Sequence, residues 1–198
     1  IAAGLLWIWY INLFNFMDGI DGITVVETAC TGVGVALVAL VSGMAGTEAA
    51  FGLVAAAAAI ALLWWNWHPA KIFLGDIGSV PLGFLLGWLL LNLAAGGQWV
   101  AALIIPAYYL ADATTTLFRR AARGEKVWRA HREHAYQQAV QKGAGHARVS
   151  LCILAANLVL IGLAVLAALG WSWVALAGAI VIVAGLLIFL RGGAGTVS

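Results

Sequence analysis

The sequence predicts an all-helical bundle that passes repeatedly through a membrane, and three observations carry that prediction. Of 198 residues, 64% are hydrophobic and only 9% charged, with a mean hydropathy of +1.02; soluble domains carry about 25% charged residues. The apolar residues form continuous runs instead of alternating with polar ones, which selects helices from the two architectures that satisfy their backbone in lipid. The Lys and Arg residues gather in a few connections, as they do on one side of a membrane protein. The ten Trp and 24 Gly agree with this class, since Trp collects at bilayer interfaces and Gly is commoner in membrane helices than in soluble ones.

Taken in order, the chain gives seven candidate spans: Ile1–Ile11, Thr24–Val41, Ala49–Trp65, Val80–Ala95, Val100–Leu117, Val149–Leu169 and Trp171–Leu190. The first is too short to cross about 30 Å of hydrocarbon and reads as the end of a longer helix. With no Met at its start, the chain reads as a single transmembrane domain, 1–198, truncated at its N-terminus, and no signal peptide is identified. Gly83 and Gly87 form a G-x-x-x-G spacing and Ala55–Ala59 a small-residue run, both suited to close helix packing. Pro106 should kink its helix. Cys30 and Cys152 fall inside apolar runs and read as packing residues, with no disulfide framework. No internal repeat is visible.

If seven spans alternate, Lys71, the eight basic residues from Arg119 to Arg148, and Arg191 share one side. The opposite connections, near Ser42–Glu48, Ala95–Gln98 and Gly170, carry no Lys or Arg. The positive-inside rule makes the basic side cytoplasmic, and Asp18, Asp21 and Asp76 then face that compartment too.

Three polar stretches carry the chemistry. The first, Asn12-Leu13-Phe14-Asn15-Phe16-Met17-Asp18-Gly19-Ile20-Asp21-Gly22, sets two carboxylates and two carboxamides at the mouth of the membrane. An Asp in the hydrocarbon costs about 2.5–3.5 kcal/mol on insertion scales, so acids there are rare without a role. Asp18 and Asp21, three apart, share a face if the segment is helical, and two oxygen donors with glycines beside them suit a hard cation such as Mg²⁺. A helix-terminal turn capped by Asp and Asn is the plainer reading. The second stretch, Asn66 to Ser79, brackets Asp76 with Gly75 and Gly78. Ser79 is placed to cap the next helix, with Pro81 in its first turn. Such a helix start can seat a phosphate, with Lys71 as a point charge; an Asp-Gly turn beside an interfacial lysine is the alternative.

The third stretch, Arg119–Arg148, is the one long polar segment and includes Arg129-Ala130-His131-Arg132-Glu133-His134-Ala135-Tyr136-Gln137-Gln138. Anionic lipid alone accounts for its arginines. The His-Arg-x-His-x-Tyr-Gln cluster adds donors for a diphosphate or sugar hydroxyls. Zinc at His131 and His134 is the weaker reading, with no third ligand nearby. His68 and His146 stand isolated and read as structural. Asp112 lies roughly 10 Å inside the membrane from Arg119 at 1.5 Å per residue and should face the bundle interior.

Asn12–Gly22 (N-x-x-N-F-M-D-G-I-D-G), Phe73–Gly83 (F-L-G-D-I-G-S-V-P-L-G) and His131–Gln137 resemble, in order and topology, the cytoplasmic motifs of the polyprenyl-phosphate N-acetylhexosamine-1-phosphate transferases. That is the glycosyltransferase family 4 group that includes lipid I synthase and the initiators of O-antigen and teichoic-acid synthesis. The resemblance implies a multi-pass protein of the bacterial inner membrane with a cytoplasmic active site. It implies transfer of an N-acetylhexosamine-1-phosphate from a UDP-sugar to undecaprenyl phosphate, releasing UMP, with Mg²⁺. Asp76 would be the metal ligand and, with Asp18 and Asp21, catalytic. Asn12 and Asn15 would line the nucleotide cleft, and Lys71, His131, Arg132 and His134 would hold the phosphates. No nucleic acid is expected as a partner, and a homodimer is compatible with the reading.

The family's paired aspartates occur nowhere in this chain and would lie upstream of Ile1. The thinner His run places the resemblance nearer the O-antigen initiators than lipid I synthase. Two rival readings are an ion-coupled transporter using Asp112 and the loop acids, and a membrane scaffold without catalysis. Transporters set their sites near the midplane, often in paired broken helices, whereas the acids here cluster at one face.

Overall fold

Long apolar runs and the glycines between them shape a computed structural model that describes residues 1–44, 46–126 and 131–192. Its helices are α1 (Ala2–Phe16), α2 (Ile23–Val41), α3 (Gly46–Asn66), α4 (Gly75–Leu93), α5 (Trp99–Ile104), α6 (Ala107–Ala122), α7 (Ala135–Gln141), α8 (His146–Ala168) and α9 (Ser172–Arg191). Among the described residues five stretches are long and apolar enough to cross a membrane: α2, α3, the run Gly75–Ile104, α8 and α9. Their outer faces leave large apolar side chains exposed, among them Phe51, Trp64, Leu158, Val181 and Ile188. In water such a surface would aggregate, and in lipid it needs no cover.

The most buried helix, α2, is packed by α3, α4 and α8. Inside it Glu27 is fully buried, and Asn157 of α8 donates to its Oε2 at 2.7 Å. The G-x-x-x-G spacing works as read. A Cβ on Gly83 would lie 3.0 Å from Phe14, and one on Gly87 2.7 Å from Trp7, so α4 rests directly on α1. Ala55 and Ala59 are likewise buried, on α3.

Three boundaries differ from the sequence reading, each for a local reason. First, α1 runs past Ile11 to Phe16. Asn12 and Asn15 are therefore helical residues, and Asn12 Nδ2 donates to Ile8 O at 2.7 Å. Second, α4 begins at Gly75 instead of Val80. Ser79 is no cap: its Oγ donates to Gly75 O at 3.0 Å from within the helix. Pro81 lies beyond the first turn, where its missing N–H removes a single intrahelical bond. Third, the expected span Val100–Leu117 is broken into α5 and α6 at Ile105–Pro106. Pro106 ends one helix and starts the next, and α6 carries Asp112, three threonines, Arg119 and Arg120, so it is not a continuous apolar helix.

The chain reverses after α4 through a π-helical turn, Ala94–Gln98, in which Gly97 takes φ 90°. Gly87 of α4 and Leu110 of α6 consequently line one apolar cavity. Met44, after α2, packs on Gly96 in that turn. At the other end of the bundle Lys142 Nζ donates to Arg191 O, and Arg191 lies 3.9 Å from Asp112. The basic third connection and the end of α9 thus share one end.

Candidate functional site

Between α1 and α2 the chain runs irregularly from Met17 to Gly22, and this short loop organises the face of the bundle where the three polar stretches meet. Gly22 enters α2 with φ 80°, a conformation that glycine takes without penalty. The loop is not helical, so Asp18 and Asp21 do not share a helix face, and their carboxylates go to different partners.

Asp18 belongs with the second stretch. Its Oδ1 accepts from Thr24 Oγ1 at 2.6 Å. Burial holds its carboxyl above the usual range, against the Thr24 hydrogen bond, and the nearby Asp76 charge adds to the rise. Asp76 is exposed in the first turn of α4. Asn15 on the last turn of α1 donates through Nδ2 to Asp76 Oδ1 at 2.8 Å and to Ser79 Oγ at 2.9 Å. One carboxamide therefore fixes the first motif to the second. Asp18 and Asp76, near enough for the charge of one to act on the other, offer only oxygen donors, the type a hard divalent cation prefers.

Asp21 faces the other way. His68 Nδ1 lies 2.6 Å from its Oδ2, Ala70 N–H donates to the same oxygen at 3.2 Å, and His146 Nδ1 is 3.4 Å from its Oδ1. Burial pulls its carboxyl up. The bonds from His68 and Ala70, with His146 beside them, outweigh that and hold it below the usual range. Ser150 Oγ donates to Asp21 O at 2.9 Å, and Asn66 bridges Gly22 N–H to Ile72 O. From the sequence alone His68 and His146 read as isolated structural residues. Nothing in their spacing pairs positions 21, 68 and 146; only the loops and the start of α8 bring them together.

The third stretch docks on the same loop. The Tyr136 hydroxyl donates to Phe16 O at 3.3 Å and covers Gly19 so closely that a Cβ there would overlap its oxygen. His134 caps α7, and Gln137 Oε1 accepts its N–H at 3.2 Å. The His134 ring is buried, stacked on Tyr136 and 4.0 Å from Asp112. Burial, with the charge of nearby His131, pushes it down to about 4. Asp112 is fully buried, as its depth implied, and accepts from Ala135 N–H at 2.9 Å and from Tyr108 at 3.1 Å. His131 is half-buried, with burial and Arg120 lowering its pKa, and Arg132 is exposed. Arg129 and Ala130 lie outside the described residues.

Lys71 stands apart, at a groove of about 540 Å³ lined by Ile60, Leu63, Trp64, Trp67 and Leu154 between α3 and α8.

Residues 1–94 match the family described as Glycosyl transferase family 4. A probable undecaprenyl-phosphate N-acetylglucosaminyl 1-phosphate transferase of Bacillus subtilis (strain 168) is 29% identical over 76% of this chain and 43% of its own length. A phospho-N-acetylmuramoyl-pentapeptide-transferase of Dichelobacter nodosus is 26% identical over 78% of the chain and 47% of its own length. One from Wolbachia sp. subsp. Brugia malayi is 38% identical over 38% of the chain and 23% of its own length. The chain thus spans less than half the length of these relatives. Residues 1–94 belong to glycosyl transferase family 4, and the chain as a whole is a relative of its polyprenyl-phosphate phosphosugar transferases.

Proposed function

We propose that this protein transfers an N-acetylhexosamine-1-phosphate from a UDP-sugar to undecaprenyl phosphate, releasing UMP, as the first step of an O-antigen-type envelope glycan. The observation that carries the reading is the double contact of the first motif. Asn15 holds Asp76 and Ser79 of the second stretch, while Phe16 O and Gly19 hold Tyr136 of the third. Residues 61 and 120 positions apart are thereby gathered on one face, which supports a single site that in this reading takes a nucleotide from water and a phosphate from lipid.

Phosphoryl transfer asks a protein mainly for positioning and electrostatic stabilisation. Asp18 and Asp76 would hold Mg²⁺, which when bound neutralises the diphosphate and the lipid phosphate. Asn15 orients Asp76, and Thr24 fixes one oxygen of Asp18. His131, whose pKa is lowered, offers a neutral N–H to the diphosphate, and exposed Arg132 offers charge. Buried His134 acts as a positioning residue under that pair. Lys71, on the lip of an apolar groove, is placed for a phosphate carried by an apolar chain.

In this reading the chain crosses the membrane seven times, α1 and the broken pair α5–α6 supplying the two irregular passes. The end that carries Arg119–Arg148 and Arg191 lies in the bacterial cytoplasm.

The test is incubation of membranes containing the protein with undecaprenyl phosphate and a panel of radiolabelled UDP-N-acetylhexosamines. Label entering the lipid fraction with release of UMP supports the reading and names the sugar. Label that stays aqueous for every donor, or that crosses sealed vesicles unchanged, sinks it.

A further inference from the structure

Asp21, His68 and His146 form, among the described residues, the one group of three His, Cys, Asp or Glu side chains placed to share a metal ion, with ligand atoms all within 4.8 Å of one another. They come from three separate segments: the α1–α2 loop, the α3–α4 loop and the first residue of α8. A tetrahedral zinc ion with bonds of about 2.0–2.2 Å sets its ligands about 3.4 Å apart. The His146 Nδ1 to Asp21 Oδ1 separation of 3.4 Å meets that spacing, whereas His68 Nδ1, hydrogen-bonded to Asp21 Oδ2 at 2.6 Å, would move away by about 1 Å to ligate.

The orientation of His146 adds a second argument. His146 Nδ1 stands 3.4 Å from both the backbone N and the Oδ1 of Asp21, so the imidazole is turned toward the first-motif loop and its carboxylate. The His68 and His146 rings, with centroids 5.1 Å apart, flank the carboxylate from two sides. Both imidazoles are partly open to solvent, which leaves room for a water ligand. Ala70 N–H supports Asp21 Oδ2 from behind, the kind of outer contact that orients metal-ligating carboxylates.

We propose that Asp21, His68 and His146 bind a divalent transition-metal ion, zinc in the first instance, which clips the first-motif loop to the α3–α4 loop and to α8. Two imidazoles and one carboxylate select a borderline-soft ion, where the all-oxygen pair of Asp18 and Asp76 selects Mg²⁺. The inference stands whether or not the protein transfers a phosphosugar.

The experiment uses the protein purified in detergent and stripped with a chelator, then titrated with Zn²⁺ by calorimetry in the presence of excess Mg²⁺. Co²⁺ serves as a spectroscopic probe of the same site. Saturation at one equivalent is expected, with a visible Co²⁺ absorption of nitrogen-ligated geometry. His68→Ala and His146→Ala should each weaken binding by at least about tenfold. His68→Cys, which returns a ligand, should restore it in a protein whose circular dichroism is unchanged. His131→Ala should leave binding intact. No Zn²⁺ binding, displacement by Mg²⁺, or a loss that follows His131 instead of His68 and His146 would overturn the assignment.

Discussion

Asp18 and Asp21 are three residues apart on one short loop, yet the fold treats them in opposite ways. Asp18 is pressed into a partly buried position beside a second carboxylate, with a single hydroxyl to hold it. Asp21 is surrounded by a backbone N–H and two imidazoles, and its carboxyl is stabilised as an anion. Left unmet, the first arrangement opposes folding; the second supports it. Under the proposed function, that contrast is the one expected between an active site and its scaffold, where residues kept for chemistry are held where stability alone would not put them. On the two proposals above, it would also separate two kinds of cation affinity, hard on the Asp18 side and borderline-soft on the Asp21 side.

The largest effect should come from removing charge on the Asp18 side. In Asp76→Asn the new side-chain oxygen can still accept from Asn15 Nδ2, so the α1–α4 contact persists. The lost negative charge weakens any cation held with Asp18. Transfer to lipid should fall by at least about a hundredfold, typical of losing one electrostatic stabiliser, while thermal unfolding is unchanged. Activity within a factor of a few of the parent would make Asp76 a turn residue and dissolve the contrast.

The third motif sharpens the comparison through pH. His134 is held neutral, its pKa lowered from 6.5 to about 4. Between those values the unfolded chain binds more protons than the folded one, so stability rises with pH through the window. As pH falls from 6.5 toward 4, His134 should remove up to about 3 kcal/mol. In His134→Gln that part of the slope should vanish in denaturant melts across the window. A slope identical to the parent's would assign the acid sensitivity elsewhere.

Much of this was legible in the sequence, and the failures share a cause. Apolar runs, G-x-x-x-G spacing and the depth of Asp112 are one-dimensional signals, and they gave the helices, the α1–α4 contact and the inward acid. The motifs named Asp18, Asp76 and His131, because each stretch is locally unusual for a membrane chain. Pairings between stretches were invisible. Nothing near His68 or His146 announces Asp21, and nothing near Asn15 says that its amide ends on Asp76. The helix ends at Phe16 and Gly75 escape the sequence because polar residues there read as helix stops, whereas the helices carry them on toward the polar face.

The two carboxylates should also part company under one conservative change. Asp18→Asn keeps an acceptor for Thr24 and relieves the repulsion from Asp76. Its stability should equal or exceed the parent's, by up to about 1 kcal/mol. Asp21→Asn loses the charge that His68, Ala70 and His146 are arranged to meet, and should cost about 1–3 kcal/mol. Melting both variants in one detergent checks the difference. Equal shifts in the same direction would mean that the loop does not divide as described.

The smallest effect tests the seam between the third motif and the loop that carries both acids. Tyr136→Phe removes the hydroxyl that donates to Phe16 O and keeps the ring stacked on His134. One hydrogen bond of this kind contributes about 0.5–1.5 kcal/mol. Loss of the oxygen also relieves the crowding over Gly19, so the net change should fall at the low end of that range. The companion Gly19→Ala adds a methyl group where the hydroxyl sits and should cost more, since either the loop or α7 must move. In the double variant the methyl finds the space the oxygen left, and part of the Gly19→Ala penalty should return. Additive losses in that cycle would show that Tyr136 and Gly19 are not in contact, and α7 would then be held by Asp112 and by its packing on α8 and α9.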